Sequence, residues 1–322
     1  MRTRRFGRMG WDVGELGYGM WGMAGWTGSD DAESTAALDL AVDRGVTFFD
    51  TAQAYGDGHS EQLLAKVVAA HPGRVVTATK VPPMNRKWPA PKGTRLSEVF
   101  PRAYVRQMVG ISRANLGVET IDLLQLHIWE DDWLDERELV GTVDELRREK
   151  AIGAFGISLN RWEPWNGVRA VKSGLVDSVQ VIYNIFDQAP EDELFPTCRE
   201  NGVAVIARVP FDEGSLTGSL TLDSTWPEGD WRNTFFVPEN LRATVEHVEK
   251  LRPVLPAGST MAEMAIRFII SNPDVSTVIP GMRRPGHVEA NVAAAEKGPL
   301  PADLLAALRA HRWDRKPTRW SQ

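Results

Sequence analysis

The chain has 322 residues, with 37 Lys and Arg against 43 Asp and Glu, one cysteine, twelve tryptophans and four tyrosines. A lone Cys198 excludes an internal disulfide framework and a thiolate metal cluster, and a net charge of −6 argues against nucleic-acid or membrane-surface partners. No apolar run approaches membrane-spanning length, and residues 7–16 lack the apolar stretch of an export signal, so a cytoplasmic enzyme-sized protein is expected.

In chain order, a weak first strand is predicted at residues 15–18. Asp30-x-x-Glu33 then reads as a capping box opening a helix that stops at Gly45. Strands follow at 46–49, 74–79 and 121–126, and Leu139, Val143 and Leu146 form a helical stripe. Further strands are expected at 154–158, 178–182, 203–207 and 275–279. Thr260-x-x-Glu263 marks a helix start, and Pro285 suits a first helical turn. Most of the strands are continuous apolar runs, as in parallel sheets buried on both faces. Eight strands alternating with helices, without a linker, predict an α/β fold: a single (β/α)8 barrel domain over residues 1–322. The residues before the first barrel strand could form a hairpin closing the far end. Two long connections, 81–96 and 210–238, leave the C-terminal ends of strands, where barrel active sites lie.

Gly17-Tyr18-Gly19-Met20-Trp21-Gly22 matches the dinucleotide fingerprint G-x-G-x-x-G, but its context is wrong. The fingerprint needs a helix immediately after the glycines, to place its N-terminus on a pyrophosphate. Here the helix start comes only at Asp30, so the glycines read as a tight first loop at the barrel mouth.

Ionisable residues end three consecutive strands. Asp50 closes the second, with Tyr55 just after it; Lys80 closes the third and His127 the fourth. Singly, each has an ordinary structural explanation: a cap, a solvated lysine, a satisfied histidine, a packed ring. Together they make a proton donor. A lysine cation favours the phenolate and lowers the tyrosine pKa, a carboxylate keeps the lysine charged, and a histidine can orient the same substrate oxygen. Neither metal-ligand spacing nor a nucleophile elbow accompanies them.

Phe48-Phe49-Asp50-Thr51-Ala52-Gln53-Ala54-Tyr55-Gly56, followed by Gly58-His59-Ser60-Glu61, resembles the first signature of the aldo-keto reductase superfamily. Ile111-Ser112-Arg113-Ala114-Asn115-Leu116-Gly117, running into 121–127, resembles the second. The details are similar to the bacterial and potassium-channel β-subunit-like branches. The resemblance implies reduction of an aldehyde or ketone with a nicotinamide cofactor, NADPH in preference to NADH. Tyr55 would be the general acid, Lys80 and Asp50 would tune it, and His127 would orient the carbonyl. It also implies nicotinamide contacts from Met20, Trp21, Asp50, Ser158 and Gln180. Arg208, Pro210 and Phe211 occupy the place where relatives stack an aromatic ring on the nicotinamide, and a guanidinium there would favour reduced cofactor. Leu159 separates Ser158 from Asn160, where many relatives have Ser-Asn directly. Ser215 and Leu216 would belong to a loop over the pyrophosphate, and Gly281, Arg283, His287 and Asn291 to the adenosine-phosphate segment. Arg283 and Arg284 suit a 2′-phosphate.

A small carbonyl compound is the expected partner, met by Tyr55, His127 and tryptophans of the rim loops. Trp21 and Trp129 are the foremost pocket candidates, Trp88 and Trp231 would come from lids, and Trp26 follows strand one. Trp162, Trp165 and Trp313 are expected to pack, as is Cys198. Two other uses of the same residues stay open on the sequence: an NADPH-binding regulatory module of the channel-subunit kind, and a redox-neutral isomerase or dehydratase on tightly held cofactor.

Overall fold

The computed structural model describes residues 1–25 and 28–315. Two short strands, β1 (Thr3–Arg5) and β2 (Asp12–Gly14), pair antiparallel with Arg4 opposite Val13. Parallel strands follow: β3 (Tyr18–Gly19), β4 (Phe48–Asp50), β5 (Val76–Val81), β6 (Ile121–Leu126), β7 (Ile152–Ser158), β8 (Ser178–Ile182), β9 (Ala204–Arg208) and β10 (Thr277–Val278). Each pairs with its successor in the chain. Bridges from Leu16 to Val278 and from Gly19 to Gly281 bring the first strand back to the last. This is the (β/α)8 barrel that the alternation predicts. Its first and last strands are shorter than expected, and Lys80 lies inside β5 rather than at its end.

The seam explains the glycine motif. A Cβ on Gly19 would stand 2.6 Å from the Ile279 carbonyl oxygen, and one on Gly17 would stand 3.1 Å from that of Phe48. These glycines permit close backbone approach where the barrel shuts. The expectation of a loop over the whole motif is therefore corrected: Gly19 belongs to β3, a 3-10 turn covers Trp21–Met23, and the next helix begins at Asp31.

Side chains alternate faces along each strand. The inward set at the lower level is apolar: Phe48, Ala78, Leu123, Ala154, Ala204, Ile206 and Ile279, joined by Phe6 and Val13 of the hairpin. Phe6 stacks on Phe48 with ring centroids 5.3 Å apart. The Arg8 amide donates to the Gly202 carbonyl at 2.6 Å, and its guanidinium donates to Asp177 at 3.0 Å. The hairpin thus seals the N-terminal end. Two residues beyond Phe48, Ala78 and Leu123 come Asp50, Lys80 and Gln125, with Lys80 level with Gln125; Ser158 is level with Gln180, and Arg208 follows two residues after Ile206. A polar layer therefore sits directly on the apolar one.

The helices around the barrel start where the sequence marks them. Asp30 accepts from the Glu33 amide at 2.8 Å before helix Asp31–Asp43, and Thr260 does the same for Glu263 at 3.1 Å before Met261–Ile270. Pro285 opens helix Pro285–Glu296, and helix Arg137–Arg148 buries Leu139, Val143 and Leu146. Cys198 is buried in helix Leu194–Asn201, and burial pushes its thiol up to about 12, so it serves as packing. The connection after β9 contains a 3-10 segment, Asp212–Thr217, and a short helix, Arg232–Phe235. It carries a small apolar cluster of its own, Phe235, Phe236 and Leu241. No helix among the described residues is long and apolar enough to cross a membrane.

Candidate active site

Asp50, Lys80, Tyr55 and His127 meet at the C-terminal mouth. Lys80 is fully buried, and its ammonium donates to Asp50 Oδ2 at 2.6 Å, to the Thr51 carbonyl at 2.8 Å and to the Tyr55 hydroxyl at 3.5 Å. Asp50 Oδ1 accepts from Gln125 Nε2 at 3.1 Å and Gln180 Nε2 at 2.8 Å. Gln125 is a site residue that motif reading missed. Its signal was available: an amide within the apolar run Leu123-Leu124-Gln125-Leu126, inward like Leu123 and level with Lys80. Glu61 is likewise buried, accepting from Thr79 at 2.6 Å and Asn115 at 2.8 Å. It ties the two signature segments to the outer face of β5.

Burial pushes the Tyr55 phenol above its ordinary value of 10.0; Lys80 pulls it down, Asp50 pushes it up and Arg208 pulls it down. The expectation of a lowered value is corrected: removal from water outweighs the lysine. Burial alone would lower the Lys80 ammonium, yet Asp50 and then Tyr55 raise it, so it stays charged. His127 lies edge-on to Tyr55, with centroids 5.7 Å apart. Burial first, then Lys80 and Arg208, hold its pKa well below the ordinary 6.5, which leaves the imidazole neutral.

A cavity of about 190 Å³ opens beside Tyr55 and His127, walled by Trp88, Trp129, Ser158, Asn160, Arg161, Gln180 and Arg208. Along this wall Trp88 Nε1, His127 Nδ1, Arg161 Nε and Nη1, and Arg208 Nε are buried without a hydrogen-bond partner among the described residues. Buried polar atoms are normally paired, so the wall suits ligands that bring polar groups of their own, as a nicotinamide and a carbonyl substrate do. Asn160 does reach the cavity, and its side-chain oxygen accepts from the Trp162 amide at 3.2 Å.

The aromatic lining is narrower than the sequence suggested. Trp88 and Trp129 form it, with Trp129 Nε1 donating to Asp131 at 2.8 Å. Trp21, 44% exposed, stands against Trp231 at 5.4 Å, and neither lines the cavity. Trp133 packs edge-on to Phe100, and Trp226 stacks on Phe236. Rim loops bury their rings on one another because the barrel interior is already filled. Trp165 is 55% exposed in a separate groove with Trp162, contrary to the packing expected, whereas Trp313 stacks on His247 at 3.8 Å. Trp26 lies outside the described residues.

The other cofactor candidates line the rim. Met20 is buried, and its amide donates to the Asp50 carbonyl at 3.0 Å. Pro210 is buried and Phe211 half-buried where β9 ends. Val209, Asp212 and Glu213 have φ of 56°, 44° and 58°, an unusual density of left-handed non-glycine residues. Salt bridges hold this turn: Asp212 accepts from Arg315 (Nη2 to Oδ1) at 2.6 Å and from Arg161 at 3.1 Å, and Arg315 also reaches Asp187 at 2.8 Å. Ser215 and Leu216 are fully buried, and the Ser215 hydroxyl donates to Asp212 at 2.8 Å. Gly281 is bridged to Gly19, Asn291 is buried on helix Pro285–Glu296, and His287 is exposed near its start. Arg283 flanks Gly22, and Arg284 lies 3.4 Å from Glu33.

The sequence pattern of the Aldo/keto reductase family matches residues 15–312. The chain belongs to this family. It is an NAD(P)H-dependent oxidoreductase. Aldo-keto reductase YhdN of Bacillus subtilis (strain 168) is 30% identical over 290 residues, covering 87% of this chain and 85% of that protein. The NADH-specific methylglyoxal reductase of Escherichia coli (strain K12) is 29% identical, covering 88% and 90%. The holo form of aldo-keto reductase AKR11C1 from Bacillus halodurans superposes with a TM-score of 0.77 at 26% identity, covering all of both chains. The glycerol dehydrogenase AKR11B4 from Gluconobacter oxydans gives 0.79 at 25% identity, covering 98% of each. The chain thus falls among bacterial aldo-keto reductases.

Proposed function

We propose that this aldo-keto reductase uses NADPH to reduce an aldehyde or ketone to an alcohol, with Tyr55 giving its proton to the carbonyl oxygen. The observation that carries the reading is the buried Lys80 ammonium, held by Asp50 and within 3.5 Å of the one tyrosine hydroxyl that meets the cavity. The nicotinamide, when bound, supplies the hydride. Lys80 stabilises the phenolate left after proton transfer, and Gln125 and Gln180 keep Asp50 aimed at Lys80. The neutral His127 offers an N–H to the same carbonyl oxygen and fixes its direction. Ser158 and the Gln180 side-chain oxygen would hold the carboxamide, with Met20 and Trp21 of the first loop beside it. Arg208, in the cavity wall, would face the nicotinamide, where its charge would favour the reduced form over the cationic oxidised one.

Because burial raises the phenol and lowers the imidazole, Tyr55 stays protonated and His127 neutral across the neutral range. The reduction rate is expected to be flat from about pH 6.5 to about pH 10 and to fall only above it. A pH–rate profile with an inflection inside that window contradicts the assignment.

Specificity for NADPH rests on Arg283 at the start of the adenosine segment, supported by His287 and Asn291. Titration of both cofactors should show tighter NADPH binding in the wild type. Arg283→Ala should weaken NADPH by about 10- to 100-fold and leave NADH unchanged, the effect of one charged contact to a phosphate. Equal affinity for the two cofactors in the wild type would remove the NADPH preference.

A further inference from the structure

We propose that Arg161 and Arg208 form an oxyanion subsite in the cavity wall, and that the preferred substrate is a carbonyl compound bearing a carboxylate or phosphate. This rests on the reductase reading and adds the substrate class to it. The Arg161 side chain is only 1% exposed. One of its nitrogens, Nη2, donates to Asp212 at 3.1 Å and lies 3.5 Å from Asp187 and 3.8 Å from Glu213. Asp187 and Asp212 are also held by Arg315, so the carboxylates fix Arg161 through a single corner. Its Nε and Nη1 have no hydrogen-bond partner among the described residues, while the guanidinium lies over the Trp162 and Phe235 rings at 5.7 and 5.8 Å. Arg208 repeats the pattern: Nη2 donates to the Leu159 carbonyl at 3.0 Å, and Nε has no partner among the described residues.

Leaving buried guanidinium donors unpaired is costly, and an oxyanion is the acceptor they match best. Burial pushes the Glu213 carboxyl up, which weakens its claim on Arg161. The cofactor diphosphate is the other source of such oxygens. The substrate is favoured because both arginines wall the same small cavity as Tyr55, His127 and Trp88, where the reacting carbonyl must lie.

The test compares 2-, 3- and 4-carboxybenzaldehyde with their methyl esters, which keep the shape and lose the charge. In the wild type, at least one free acid should show kcat/KM about 10- to 100-fold above its ester, expressed mainly in KM. Arg161→Met should abolish that preference, read as the acid-to-ester ratio of kcat/KM within the same variant; Arg161→Lys should restore part of it. Asp212 keeps Arg315 in these variants, and the wild-type comparison decides even if they fold poorly. Binding of benzoate to the NADP+-loaded protein, followed by calorimetry, gives a readout independent of turnover and should be lost in Arg161→Met. Equal turnover of every acid and ester pair overturns the proposal. So does an Arg161→Met variant that loses NADPH affinity but keeps the acid preference, which would assign the donors to the diphosphate. If no aldehyde of either kind is reduced, the reductase reading fails instead.

Discussion

Tyr55→Phe should lower kcat for carbonyl reduction by about 10²- to 10⁴-fold, the usual contribution of a positioned general acid. The substitution removes one oxygen from a half-buried ring and leaves the edge-on contact with His127 in place. Stability and cofactor affinity should therefore stay close to wild type, and the loss should appear in kcat rather than in KM. The other tyrosines cannot substitute. Tyr18 spends its buried hydroxyl on the Met282 carbonyl at 2.6 Å, and Tyr183 donates to Glu191 and accepts from Asn272. Tyr104 lies on helix Arg102–Leu116, outside the cavity. A Tyr55→Phe enzyme with full activity would move the proton to another donor and break the assignment.

Lys80→Met should cost both activity and stability. It strands the Asp50 carboxylate, which is 3% exposed, with only two amide donors. Removing one partner of a buried pair typically costs about 3–5 kcal/mol, readable as a lowered denaturation midpoint. The double variant Lys80→Met/Asp50→Leu should recover much of that stability, because no buried charge remains, yet none of the activity. A folded pKa for Lys80 above 10.5 means the pair's stabilisation is fully present below about pH 10.5 and is lost as pH rises through the higher folded value. The wild-type stability advantage over the double variant should therefore shrink only at strongly alkaline pH. A single variant as stable as the wild type would show that Asp50 does not need its cation.

The barrel was legible because most strands are apolar runs and several helices carry a start signal, as at Asp30, Thr260 and Pro285. Asp50, Lys80 and His127 were legible because they break apolar runs at the level where a parallel barrel exposes them. Gln125 breaks its run in the same way and was passed over only because an amide carries no charge. The Tyr55 pKa was misjudged for a different reason: the lysine is visible in the sequence, whereas the depth of burial exists only in the fold. The Arg161, Asp212 and Arg315 cluster has no local pattern, since its members are separated by 51 and 103 residues. The tryptophans mark the remaining limit. Their placement in rim loops follows from the strand order, but whether a ring meets the cavity or another ring depends on loop packing. Trp88 and Trp129 took the first course; Trp21 and Trp231 took the second.

The central claim is tested most directly by following NADPH oxidation by the wild-type protein over a panel of aldehydes and ketones, with the alcohol product quantified and Tyr55→Phe run alongside. The account predicts one alcohol formed per NADPH consumed, at a rate about 10²- to 10⁴-fold above the variant for the favoured carbonyls. Wild type and variant oxidising NADPH equally slowly with every carbonyl would contradict it.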